Sequence, residues 1–218
     1  MFASIEGIDY VGKTTQCNLI RENFTKEGIQ VDLVSDPSQQ APWGRFKLFF
    51  ENEDAIHKVS EAFLLLSARL DNYQRRILPT LARHGNVLAD RYSDSWLAYQ
   101  SVRLAEYLGG IRSALSFLVE IQNQLVARAL IQLPDLTILF IDDPNDLRSR
   151  CATRGRFSKY DQLDFQQTVQ TQFIQIAKIY PDRIAVVTTT GKNIEEVNSI
   201  VDRLLRTRLQ AFLSKNSG

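Results

Sequence analysis

Gly7-Ile8-Asp9-Tyr10-Val11-Gly12-Lys13-Thr14 is the stretch of this chain that decides its fold. It fits the pattern G-x-x-x-x-G-K-[ST], in which each fixed position has a physical reason. Gly7 and Gly12 permit backbone torsions closed to other residues, so successive amide N–H groups can converge on phosphate oxygens. Lys13 supplies a mobile cation for β- and γ-phosphates, and the Thr14 hydroxyl suits Mg²⁺. The context carries as much weight as the pattern. Phe2-Ala3-Ser4-Ile5-Glu6 reads as a short buried strand, and 13–26 reads as a helix whose positive end faces the same phosphates.

Outward from this loop, helical and strand patterns alternate. Gly28 stops the first helix, 29–34 reads as a second strand, and 35–40 is a polar loop at its end. Val59, Phe63, Leu66, Leu70, Tyr73, Ile77 and Leu81 recur at steps of three and four, which predicts one continuous helix from 54 to 81. His84-Gly85 ends it, and 86–89 is a third strand finishing on Asp90-Arg91-Tyr92. Helices over 93–108 and 111–132 follow, then Pro134, a fourth strand over 136–141 and the turn Asp142-Asp143-Pro144. A helix over 165–179, a fifth strand over 183–188 and a closing helix over 194–212 complete the chain. Strands separated by long helices imply a parallel sheet covered on both faces. The predicted class is α/β, a three-layer P-loop NTPase sandwich around five parallel strands. Such sheets bind ligands at the C-terminal ends of their strands. The glycine loop, 35–40, Asp90-Arg91 and Asp142-Asp143 all fall there.

Composition narrows the function classes. At 218 residues, with 44% hydrophobic and 23% charged, the chain suits one domain over 1–218 with a sizeable core. A net charge of +1 gives no reason to expect nucleic-acid or membrane binding through bulk charge. Cys17 and Cys151 lack metal-ligand spacing and read as reduced thiols. The first strand leaves no room for a cleavable leader, and no apolar run is long enough to span a bilayer. A cytoplasmic protein is expected.

Two further clusters carry chemistry. Asp90 ends an apolar strand in a phosphate-binding sheet, where it can hold Mg²⁺ through water, and Arg91 beside it offers a two-pronged grip on a phosphate. Arg148, Arg150, Arg154 and Arg156, with Gly155 among them, form a basic segment. It reads either as a solvated helix end or as a lid, about 150–163, placing positive charge where phosphoryl transfer needs it. Asp142-Asp143 before Pro144 reads as a turn and cap, His84 as a helix-end residue, and His57 has no partner spacing of a base or ligand.

These residues resemble the thymidylate (dTMP) kinase family. The similarity rests on Ile5 to Asp9 through Lys13-Thr14-Thr15-Gln16, and on Asp90-Arg91-Tyr92-Ser93-Asp94-Ser95-Trp96-Leu97-Ala98-Tyr99-Gln100, which matches DRY-x-x-S-x-x-A-Y-Q. Leu64 to Arg69 with Pro79 resembles its acceptor-binding helix, and Arg150, Arg154-Gly155 and Leu163-Asp164-Phe165 its lid and following helix. The resemblance implies transfer of the γ-phosphoryl group of ATP to dTMP, with Mg²⁺, in a homodimer. It implies that Gly7, Ile8, Asp9, Tyr10, Val11, Gly12, Lys13, Thr14 and Thr15 hold ATP, and that Thr14 and Asp90 face the metal. It assigns catalysis to Lys13, Asp90, Arg91, Arg150 and Arg154. It assigns the acceptor to Asp9, Leu65, Arg69, Arg91, Ser95, Trp96, Tyr99, Tyr160 and Gln166. Tyr10 and Val11 are not basic, so the catalytic cation is expected from the lid. For the dimer, 114–118 with Val119, Leu125 and Val126 offers surface, though core packing explains those residues equally well.

Departures lie on the acceptor side. Ser35-Asp36-Pro37-Ser38 stands where many relatives have Arg-Glu-Pro-Gly, and Arg45 is a candidate substitute for the missing arginine. Leu65 replaces a stacking aromatic, and Trp96 fills a position that is usually small or polar. Two alternatives stay open. One is a related kinase for another nucleotide or a nucleoside, with Asp36 or Glu6 as base; the other is a nucleotide-binding protein that has lost turnover.

Overall fold

A computed structural model describes residues 1–38, 42–44, 56–143 and 162–216 of the chain. Five strands, β1 (Phe2–Gly7), β2 (Val31–Ser35), β3 (Asn86–Asp90), β4 (Leu136–Ile141) and β5 (Ile184–Thr188), form one sheet in the order β2-β3-β1-β4-β5. Every pairing is parallel. Five parallel strands were expected, and the boundaries differ by only a residue or two.

The central strand explains the layering. All six residues of β1 are buried, because helices cover both faces of a parallel sheet and a strand with two neighbours has no free edge. Ile5 pairs with Asp90 on one side and Ile138 on the other, so β1 and β3 end side by side. The strand order switches sides at β1, with β2 and β3 on one flank and β4 and β5 on the other. Crevices of doubly wound sheets open at such a point.

Described helices flank the sheet: α1 (Lys13–Lys26), α2 (Lys58–Asn72), α3 (Leu78–Ala82), α4 (Ser93–Arg103), α5 (Ile111–Ala127), α6 (Leu163–Ile179) and α7 (Ile194–Asn216). The helix predicted to run unbroken to 81 does not. Tyr73–Ile77 is a π-helical turn between α2 and α3, and the Leu78 amide bonds five residues back to the Tyr73 carbonyl. Pro79 supplies the reason, since it has no amide to donate to a carbonyl four residues earlier. The buried face of α2 includes Ala62, Leu66 and Arg69, running into Tyr73 and Ile77, while Phe63 from the predicted stripe points outward at 41% exposure.

For helix α5 the burial favours the core-packing reading of its apolar residues. Ala114, Leu115 and Leu118 lie in the core, so most of the stretch offered as dimer surface packs inward, leaving Phe117 exposed. Among the described residues no helix is long and apolar enough to cross a membrane.

Candidate functional site

The loop after β1 has the backbone its sequence requires. Gly7 adopts φ 137°, and a Cβ there would come within 2.6 Å of the Phe140 carbonyl on neighbouring β4. Gly12 sits at φ 90°. Tyr10 shares the left-handed region at φ 67°, a conformation that strains any residue with a side chain. The Lys13 ammonium folds back along the loop and donates to the Ile8 carbonyl at 2.5 Å. Helix α1 starts at Lys13 with no side-chain cap, leaving its first amides directed at whatever binds the loop.

Across the crevice, the end of β3 supplies the opposing groups. The Thr14 hydroxyl donates to Asp90 Oδ2 at 2.5 Å, which brings the two residues assigned to the metal together. Arg91 has φ 66°, so the chain turns sharply and throws the guanidinium back over the loop. Its Nη1 donates to the Gly7 carbonyl at 2.8 Å and to Ser95 Oγ at 3.1 Å, and its Nη2 pairs with Asp9 Oδ1 at 2.5 Å.

Asp9 is a junction. Its second oxygen accepts from the Tyr99 hydroxyl and the Gln166 amide, each at 3.1 Å, while its own amide donates to Gln166 Oε1 at 3.2 Å. Tyr99 is held edge-on by Phe173 and lies under the Arg91 guanidinium, 5.4 Å from carbon to ring centre. Asp9, Arg91, Ser95, Tyr99 and Gln166, drawn from three separate stretches of the chain, thus converge on one face.

Arg69 belongs to a second, deeper group. It is 4% exposed, donates from Nε to Asp36 Oδ2 at 2.5 Å and from Nη2 to the Tyr92 carbonyl at 3.1 Å. Tyr92 and Trp96 both lie close to its guanidinium, with ring centres 5.5 and 5.7 Å away. The Trp96 indole N–H is spent on the Ala62 carbonyl at 2.9 Å, so Trp96 pins α2 against α4 and presents only ring surface around Arg69. Leu65 is half-buried and packs against the core.

Electrostatics follow from this crowding. Burial, aided by Arg91, lowers the Lys13 ammonium to a pKa of about 8. Burial would raise Asp9, but Arg91, Lys13 and the Tyr99 and Gln166 hydrogen bonds outweigh it and hold the carboxyl at about 2. Burial opposes the Arg91 charge, yet Tyr99, Asp9 and Asp90 push its pKa up. Glu6 goes the other way. Burial first, then the charge of Asp94, raises it to about 7, against Ser95, Arg91 and the Tyr92 amide. Asp36 is likewise pushed up by burial, with Arg69 opposing.

His84 behaves as the sequence predicts, whereas the turn and cap predicted for Asp142-Asp143-Pro144 run outside the described residues. Asp142 Oδ1 accepts from the Asp143 amide at 2.9 Å and from the Thr190 hydroxyl at 2.8 Å. His84 ends its helix at φ 58°. His57 caps α2 by accepting from the Val59 amide at 3.4 Å, a role no spacing signalled. Sequence reading also missed the partnership of Asp36 with Arg69, and of Asp94 with Arg183, whose guanidinium grips both carboxylate oxygens at 2.7 Å. A carboxylate just past the end of β2 was the available signal for Asp36. Arg45, Arg148, Arg150, Arg154, Arg156 and Tyr160 lie outside the described residues.

The donor set at the end of β3 can be tested against Mg²⁺. One hydroxyl and one carboxylate, both hard oxygen donors already in contact, fit an ion that keeps several waters and binds substrate phosphates. Among the described residues no cluster of three or more His, Cys, Asp or Glu would form an all-protein cage.

Comparison with known proteins gives one answer. A family model described as thymidylate kinase matches residues 5–201. A thymidylate kinase of Hahella chejuensis is 30% identical over 213 residues, covering 96% of this chain and 97% of that protein. A probable thymidylate kinase of Archaeoglobus fulgidus is 31% identical over 217 residues, covering 100% of both. The crystal structure of thymidylate kinase from Ehrlichia chaffeensis superposes with a TM-score of 0.70 at 26% identity, covering 94% of this chain and 98% of that one.

Proposed function

This chain belongs to the thymidylate kinase family, and we infer that it transfers the γ-phosphoryl group of ATP to dTMP, giving dTDP and ADP. The observation that carries the reading is the convergence of Lys13, the Thr14–Asp90 pair and Arg91 on one crevice, where donor and acceptor phosphates must meet.

In this reading the loop from Gly7 to Thr15 holds the donor. Lys13 leaves the Ile8 carbonyl for the β- and γ-phosphates, which the helix N-terminus also attracts. Arg91 turns its fork to the acceptor phosphate and aligns it with the γ-phosphorus. An acceptor phosphate oxygen attacks that phosphorus, the bond to the bridging oxygen breaks, and ADP departs with the electron pair. No protein base is needed, because a monophosphate oxygen is already nucleophilic near neutral pH. Thr14 and Asp90 would hold Mg²⁺, which when bound would supply neutralisation of developing charge. Asp9, Tyr99 and Gln166 face the acceptor sugar, and Arg69, with Leu65 and Trp96 beside it, faces the base. Arg150 and Arg154 are assigned the remaining positive charge, and Tyr160 the acceptor border, from a lid over 150–163 of a single kinase domain. A cytoplasmic homodimer completes the proposal, with exposed Phe63 and Phe117 as candidate contact residues.

The test is direct. Purified protein with ATP and Mg²⁺ is assayed against dTMP, dUMP, UMP, CMP, AMP and thymidine. dTMP should have the highest kcat/KM, and equal rates across the panel would sink the reading. Lys13→Ala should abolish measurable turnover.

A further inference from the structure

Three consecutive residues of β1 grip the two-residue turn that carries Arg91. The Ile5 carbonyl accepts from the Arg91 amide at 3.1 Å, and the Gly7 carbonyl accepts from the Arg91 guanidinium at 2.8 Å. Between them stands Glu6, which is fully buried. Its Oε1 accepts from the Tyr92 amide at 2.7 Å, and its Oε2 accepts from the Ser95 hydroxyl at 2.5 Å. A buried carboxylate is costly, and one placed here must be compensated by specific donors.

The chemistry of Ser95 explains what the carboxylate does. A hydroxyl has one proton and two lone pairs. In the ionised form of Glu6, which prevails above about pH 7, the Ser95 proton is committed to the carboxylate and the lone pairs are left for Arg91 Nη1, which donates to Ser95 Oγ at 3.1 Å. Glu6 therefore sets the direction of the Ser95 hydroxyl, and through it one prong of the Arg91 fork. Its other oxygen holds the Tyr92 amide just after the left-handed Arg91 backbone, at the start of α4, where a negative charge also suits the helix end.

We propose that Glu6 is a positioning residue for phosphoryl transfer, acting through Ser95 and the Tyr92 amide to aim the Arg91 guanidinium at the acceptor phosphate. This rests on the reading of Arg91 as the acceptor-phosphate grip. Glu6→Gln isolates the Ser95 branch. The amide oxygen still accepts from Tyr92, but the amide nitrogen faces Ser95 as a donor and cannot take its proton.

Steady-state kinetics on Glu6→Gln, Ser95→Ala, the double variant and Arg91→Ala, with ATP, Mg²⁺ and dTMP, test it. Glu6→Gln and Ser95→Ala should each lower kcat/KM for dTMP by roughly tenfold or more, typical of losing a hydrogen bond to a charged group, with KM for ATP within about twofold of wild type. Because both act on one prong, the double variant should be no worse than the weaker single variant by more than about twofold. Losses that multiply in the double variant, or a wild-type kcat/KM in either single variant, overturn the proposal. Ser95→Ala, a small truncation, keeps the test open should Glu6→Gln fold poorly. If Arg91→Ala leaves kcat/KM for dTMP unchanged, the reading of Arg91 fails and the proposal with it. If only Arg91→Ala lowers it, Glu6 alone is wrongly assigned.

Discussion

Arg91, just past the end of β3, is ion-paired with Asp9 in the glycine loop at 2.5 Å, so the residue proposed to grip the acceptor is tied directly to the loop proposed to hold the donor. The arginine makes three bonds there at once, to the Gly7 carbonyl, to Ser95 and to Asp9. A lysine has a single compact ammonium and cannot hold that fork. Arg91→Ala should lower kcat/KM for dTMP by about 10²-fold or more, the usual cost of losing a placed charge at a transition state. Arg91→Lys should recover less than about tenfold of it, given the lost fork geometry. Initial rates over a dTMP series measure both; full recovery by lysine would mean that charge alone matters.

Tyr10 carries a left-handed backbone in the phosphate loop, at φ 67°. Replacing it with Ala or Gly removes the same aromatic packing, but only Gly removes the strain. Tyr10→Gly should therefore unfold at higher denaturant than Tyr10→Ala, by about 1 kcal/mol. Equal midpoints would show that the loop relaxes without cost.

Asp94 and Arg183 join α4 to the start of β5 with two 2.7 Å bonds, their side chains 1% and 11% exposed. Removing one partner strands the other charge. Asp94→Ala should cost about 3–5 kcal/mol of stability, whereas Asp94→Leu with Arg183→Met should recover much of it. Urea unfolding of the three proteins checks this, and a double variant no more stable than Asp94→Ala would refute it.

Glu6 gives the chain a pH signature. Its pKa rises from 4.5 unfolded to about 7 folded, burial being the main cause and Asp94 the second. Between those values the folded state holds the proton that the unfolded state has released. The Glu6 contribution to stability is therefore fully present below 4.5 and is lost as pH rises towards 7. Wild-type stability minus that of Glu6→Gln should fall across this window in thermal melts. A flat difference would remove Glu6 as the titrating group.

The fold was legible where the signal is local. The glycine loop, the strand before it and the helix after it needed only neighbouring residues, and five strands followed from apolar runs between turn signals. The π-helical turn was not legible, because steps of three and four look alike whether or not an extra residue slips the phase at Tyr73–Ile77. Phe63, within the regular part of α2, fits the same spacing yet lies at the exposed margin of the stripe. Much of the site was legible too, since Asp9, Arg91, Ser95 and Tyr99 stand in two short signatures.

Which polar group answers which was decided only in three dimensions. Asp36 meets Arg69 across 33 positions, Glu6 meets Ser95 across 89, and Arg183 meets Asp94 across 89. By itself the sequence determined that β1 turns into α1 through a loop with the glycines, lysine and helix end of a phosphate cradle, because these are local properties. The tertiary structure decided how Arg91 is aimed. Parallel pairing sets Ile5 beside Asp90, and that register alone brings the Glu6 carboxylate under the turn. Burial then requires every charge in the crevice to find its partner.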